Sequence, residues 1–214
     1  MKKTLSLIIV MLICFTSTCT VFASSNNLNM QNKLENSNEY KALSPEQQEQ
    51  LKAILADDQL WKNELLPQLL SNEKISSSNK VNDVVISSSM SESRVAKKDD
   101  EETITATANY SRSVEIFGVT LVAIKGYVTY DYIKGSKIVD VQDANIYESV
   151  NWHPTLTLDV SSPTGTVKTK TKAYGQASVT MGIGWDQLDV DFSSGVFKVW
   201  GDYNGNEGGS FVED

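Results

Sequence analysis

The chain has 214 residues, of which 40% are hydrophobic and 21% charged, with 27 acidic against 19 basic side chains, one histidine and two cysteines. That balance fits one soluble domain with attachments and excludes collagen-like chains and proteins that cross a membrane many times. The formal charge of −8 repels phosphate backbones and anionic lipids, which argues against nucleic acid as a partner and against membrane attack in the manner of cationic peptides.

Lys2 and Lys3 precede an apolar run from Leu5 to Cys14, and Val21-Phe22-Ala23 ends on a small residue. These are the basic, apolar and cleavage regions of a secretory leader, so residues 1–23 are expected to be removed by a cut between Ala23 and Ser24, leaving the protein extracellular. Thr16, Ser17, Thr18 and Thr20 break the run short of the ~20 residues that span a bilayer, so no membrane anchor is expected in the mature form. Cys14 and Cys19 would leave with the leader, which excludes thiol catalysis, disulfides and cysteine metal sites from the remainder. Losing Lys2 and Lys3 makes the mature chain two charges more acidic.

Residues 24–43 are rich in Asn, Ser and Gln and read as a flexible spacer, with too little apolar surface to offset the entropy of ordering. Ser44-Pro45-Glu46-Gln47 has a capping residue, a proline at the first helical position and a Gln at the third, the pattern of a capping box. A helical hairpin is expected over 44–70: Leu51, Ile54 and Leu55 recur at helical spacing, then Leu60, Trp61, Leu65, Leu66, Leu69 and Leu70, with Pro67 shortening or kinking the second helix. It would pack on the following domain or serve as a pro-segment. Residues 71–102 have the composition of a linker, with serine triplets, a Lys97-Lys98 pair open to proteolysis and an acidic run, although Val84-Val85-Ile86 could pair as a short strand.

From Thr103 onward the pattern alternates with a period of two. Strands are expected over 103–108, 119–132, 137–147, 155–160, 167–180, 188–192 and 196–200, with turns at Lys134-Gly135-Ser136, Ser161–Gly165 and Ser193-Ser194-Gly195. The fold class is mainly β, an antiparallel sandwich or barrel over 103–214 of about seven to nine strands. Val167 to Lys172 as one strand would put Lys168, Lys170 and Lys172 on a single face, either protecting an edge or forming a basic stripe for an anionic cell-wall polymer.

Catalytic groups are sparse. His153, the one imidazole, sits in Asn151-Trp152-His153-Pro154 with no nucleophile elbow anywhere, and reads as a turn or strand-end residue. No cofactor is expected, and a zinc site is excluded because it needs several His or Cys ligands, while calcium is left open. Asp202, Asn204, Asn206 and Glu213 have the spacing of a calcium loop, but Glu207 stands where that loop needs glycine, and a Gly/Asn-rich β-turn accounts for the same residues. Asp186, Asp189 and Asp191 could serve a carboxylate glycan hydrolase, yet the last two alternate with Leu188, Val190 and Phe192 as a solvated strand face does. Among the aromatics Trp152, Trp185, Trp200, Tyr127, Tyr147, Tyr174 and Tyr203, the pair Trp200 and Tyr203 beside a glycine-rich loop is the expected binding element.

A leader, a polar helical segment and a β domain containing Phe117-Gly118-Val119-Thr120-Leu121 and Tyr127-Val128-Thr129-Tyr130 resembles small β-rich secreted proteins of Gram-positive bacteria, some of them bacteriocin-like. The resemblance covers about half the chain, transfers no functional residue, and implies antagonism. The sequence reading is thus a non-enzymatic secreted antimicrobial or effector that binds a cell-surface component. A cell-wall or carbohydrate-binding module is the alternative and a carboxylate glycan hydrolase the second. The oligomeric state stays open.

Overall fold

A computed structural model of the chain describes residues 31–70, 76–78, 81–96, 103–184 and 190–213. The leader with Ala23 and Ser24, the Lys97-Lys98 pair, Trp185, Asp186 and Asp189 lie outside these residues, and of Asp191 only the backbone is described.

Ten strands are present among the described residues: β1 (Ser76–Ser78), β2 (Val81–Ala96), β3 (Thr103–Ile116), β4 (Val119–Ile133), β5 (Lys137–Asn151), β6 (Leu156–Val160), β7 (Gly165–Lys168), β8 (Lys172–Ile183), β9 (Val190–Asp202) and β10 (Glu207–Glu213). They form two antiparallel sheets, ordered β1-β2-β3-β4-β5 and β10-β9-β8-β6, with β7 also on β8. The protein is therefore mainly β, a two-sheet sandwich preceded by a short helical segment. Along β3 and β4 alternate residues turn inward, so Tyr110, Val128, Tyr130 and Tyr132 meet Phe197, Val199 and Phe211 of the second sheet. Tyr110 lies 5.2 Å from Phe197 between ring centres.

Glycines make room for these rings. A Cβ at Gly201 would fall inside the Tyr130 ring, and one at Gly209 inside the Tyr110 ring. Gly209→Ala is expected to destabilise the sandwich by about 2 kcal/mol through overpacking; an unchanged urea midpoint would contradict this packing.

The helical segment begins earlier than its composition suggests. Residues 31–36 are helical, α1 spans Asn38–Lys41, and Leu34 and Tyr40 are buried, so the described part of the expected spacer is ordered. Two apolar residues suffice because neighbours hold the backbone: Lys52 pairs with Glu35 at 3.2 Å, and Gln48 Nε2 donates to the carbonyls of Tyr40 and Leu43. The expected capping box opens α2 (Pro45–Leu55), with Ser44 Oγ accepting from the Gln47 amide and Gln47 Oε1 from the Ser44 amide. The next helix runs through α3 (Asp58–Leu60), a widened π turn (Trp61–Leu65) and α4 (Leu66–Leu70). Pro67 has no amide proton and its ring crowds the carbonyl four residues back, which the wider turn relieves.

Four further boundaries differ from the sequence reading. The expected 71–102 linker contributes β1 and β2, and β2 pairs with β3 from Val84 opposite Ile116 to Ala96 opposite Ile104. Its serines look like linker, yet on the solvent face they pair with hydroxyls of the next strand, Ser87 with Ser113 at 2.9 Å and Ser89 with Ser111 at 2.7 Å. The expected strand 167–180 is broken at Thr169, whose Oγ1 accepts from the Thr171 and Lys172 amides and folds a turn between β7 and β8. Conversely, Ser193-Ser194-Gly195 is no turn: β9 runs straight through, and Gly195 is needed because Phe211 packs on it. The Gly/Asn-rich C-terminal stretch gives the β9–β10 turn and then β10, so residues 103–214 hold eight strands, within the expected range, and β1 and β2 bring the total to ten.

Candidate functional site

Three turns and one strand end meet at one end of the sandwich. The Gly135 amide donates to the Tyr203 carbonyl, the Tyr203 amide to Thr171, and the Ile138 amide to Lys170. Arg94 Nη2 donates to the Gly205 carbonyl at 2.8 Å, across 111 residues of sequence. The β4–β5, β7–β8 and β9–β10 turns and the far part of β2 are thus fastened together, each turn made where glycine takes a positive φ or Thr169 closes the chain.

This end is basic. Arg94, Lys134, Lys137, Lys168 and Lys170 are exposed there, and Lys172 is half-buried beside them. Lys168 Nζ donates to the Val139 carbonyl at 2.9 Å, carrying the basic surface onto β5. The lysine row expected on one strand is therefore divided: Lys168 ends β7, Lys170 lies in the turn and Lys172 opens β8.

Lys172 and Trp200 do come together. The Lys172 ammonium stands 3.5 Å above the centre of the Trp200 ring, a cation–π contact. Beneath it the indole leans over Gly208, where a Cβ would strike the ring, and Tyr174 is the cross-strand neighbour on β8. Trp200 is half-buried on the solvent-facing side of β9, a flat aromatic with a cation on its face. Tyr203 is also half-buried and packs against the core, serving the turn through its backbone.

The calcium spacing is not assembled. Asp202 Oδ1 accepts from the Asn204 and Asn206 amides at 2.8 and 2.9 Å, and Oδ2 from Asn206 Nδ2 at 2.9 Å. Partial burial pushes this carboxyl up, but those hydrogen bonds with help from Lys172 outweigh it, and it titrates below its ordinary value. Glu213 pairs with Gly195 at the opposite end of the β9–β10 hairpin, about 20 Å away by strand rise. Among the described residues no three His, Cys, Asp or Glu side chains are grouped to hold a metal ion. Nor is any described helix long and apolar enough to cross a membrane.

His153 lies in the β5–β6 connection and is fully buried beneath the helical segment. Its ring meets Trp61 edge to face at 4.7 Å. Nδ1 accepts from the Thr155 amide at 3.2 Å, which puts the ring proton on Nε2, 3.8 Å from Asp58 Oδ1. Thr155 Oγ1 donates to the same Asp58 oxygen at 2.9 Å. A hydroxyl, an imidazole and a carboxylate are in reach of one another, but the hydroxyl is spent on the carboxylate, and the His153 ring and Thr155 are buried, with Asp58 alone reaching solvent. The group joins helix to sandwich.

A second surface was missed by the sequence reading. On the outer side of the first sheet a groove of about 280 Å³ is lined by Ser89, Ser91, Asn109, Ser111, Lys125, Tyr127 and Tyr147. Tyr147 is 42% exposed, and the Tyr127 hydroxyl donates to Asp143 Oδ2 at 2.8 Å. That hydrogen bond, followed by burial and the Asp143 charge, raises the Tyr127 pKa. The period-two polar positions of β2 to β5 were the signal available for it. Comparison with known proteins gives no match to a family model, a curated protein or a solved structure.

Proposed function

We propose that this is a secreted, non-enzymatic protein that works by binding an anionic component of a cell surface through its basic end. One observation carries the reading: Arg94, Lys134, Lys137, Lys168, Lys170 and Lys172 are gathered at one end of a chain whose net charge is −8. Segregating the minority charge against the overall field is costly unless a partner of opposite sign uses it. These cations are spread over separate turns and strand ends rather than focused on one point, so an extended anionic polymer fits better than a small anion.

The test is sedimentation of the purified protein with Gram-positive cell walls and retardation by dextran sulfate against neutral dextran. The variant K168A/K170A/K172A, which removes three of the six cations, is expected to bind about tenfold more weakly and to lose about half of its salt dependence. Equal binding by the variant would sink the proposal. Growth inhibition of Gram-positive strains by the same preparation would show that the binding serves antagonism.

A further inference from the structure

The outer side of the first sheet is chemically unlike the basic end. Reading across β2, β3, β4 and β5, its rows are Ser89, Ser111, Lys125, Tyr147; then Ser91, Asn109, Tyr127, Asn145; then Ser93, Thr107, Thr129, Asp143. Glu115 and Asp131 lie beyond these three rows on the same side, each already accepting hydrogen bonds from neighbouring side chains, and within the rows only Lys125 and Asp143 carry charge. The rest are hydroxyls, amides and phenols in a regular lattice, with strands about 4.8 Å apart, close to the length of one sugar ring in an extended polysaccharide.

We propose that the groove between Tyr127 and Tyr147 binds a strand of neutral polysaccharide lying across the strands of this sheet. Its polar groups are positioned yet still able to bond. Ser89 and Ser111 share one hydrogen bond, so one hydroxyl proton and several lone pairs remain for a ligand. Asn109 Nδ2 is held by the Ser91 and Thr107 carbonyls, which aims its Oδ1 away from the backbone as an acceptor. Tyr127, its hydroxyl proton held by Asp143, offers a fixed ring wall and lone pairs. Diagonally across from it, Tyr147 stands opposite Lys125 with its ring in solvent. Sugar hydroxyls donate and accept alike, and sugar C–H faces stack on aromatic rings. A polyanion would gain one lysine here and face Asp143, whereas a neutral chain leaves neither charge buried, so charge complementarity selects the neutral ligand. The site is independent of the basic end and carries its own test.

Affinity electrophoresis through gels containing hydroxyethylcellulose, laminarin or glycol chitin, with calorimetry on the matching hexasaccharides, reads this site. Wild type and K168A/K170A/K172A are expected to be retarded equally by at least one of these polymers. Y147A and N109A should weaken that retardation at least fivefold, and Y147F should keep it, since the ring rather than the hydroxyl makes the contact. Tyr147 is on the surface, so the circular dichroism and melting temperature of Y147A should match wild type, whereas N109A gives up the Nδ2 hydrogen bonds and should keep the wild-type circular dichroism with a lowered melting temperature. Absence of retardation by all three polymers, or retardation unchanged in Y147A and N109A, would overturn the proposal. Retardation lost only in the lysine variant would assign neutral glycan to the basic end instead.

Discussion

Trp61→Ala is expected to lower the unfolding free energy by about 3–5 kcal/mol, the range for removing a fully buried tryptophan. Trp61 is completely inaccessible, its Nε1 donates to the Ile54 carbonyl at 2.9 Å, and its ring edge meets His153 at 4.7 Å. The substitution therefore leaves a large cavity, removes one of the hydrogen bonds to the Ile54 carbonyl, which keeps that from the Asp57 amide, and strips a histidine of its cover. The loss should fall on the joint between helices and sandwich. Besides Trp61, that joint has Arg112, buried in β3 with Nη2 donating to the Gln68 carbonyl at 3.0 Å, and Asp58 with Thr155. Urea unfolding measures the total, and limited proteolysis after the change should cut first within 44–70 while the β region survives. A shift below 1 kcal/mol, or cleavage in both parts at equal rates, would mean that the segment does not depend on this contact.

Acid should open the same joint through His153. Burial lowers the His153 pKa from 6.5 to about 4, with Asp58 opposing it. The unfolded chain therefore binds a proton between these values that the folded chain refuses, and stability falls as pH falls. The full contribution of neutral His153 is present above pH 6.5, declines from there, and by pH 4 the cost reaches about 3 kcal/mol. Unfolding free energies between pH 7 and 4 measure the slope. His153→Asn, whose amide oxygen can still accept from the Thr155 amide, should flatten it by the equivalent of one proton, whereas the same slope in both proteins would show that carboxylates alone account for acid sensitivity. Asp202 acts in the same sense at lower pH: its carboxyl titrates below the ordinary value, so what it adds to the β9–β10 turn is present above the ordinary carboxylate range and is lost as pH falls through that range.

The sequence by itself determined whatever depends on neighbours in the chain. The Ser44–Gln47 capping box, the Gly135 turn and the alternation along β3 and β4 are local rules, met within a few residues, and together they imply helices followed by an antiparallel β fold. The tertiary structure decided what depends on partners far away. A serine-rich stretch becomes β2 because β3 offers it hydroxyls and backbone, and Leu34 and Tyr40 are ordered because Lys52 and Gln48 reach back to them. Gly195 lies mid-strand because Phe211 needs its space, a requirement that a turn-like Ser-Ser-Gly cannot reveal. The same holds for the two candidate surfaces. Lys134, Lys168 and Arg94 share one end only because strand pairing brings their turns together, and the tyrosine groove exists only once β2 to β5 are in register. Backbone hydrogen bonding is satisfied by many strand orders, and burial of side chains from both sheets selects one of them.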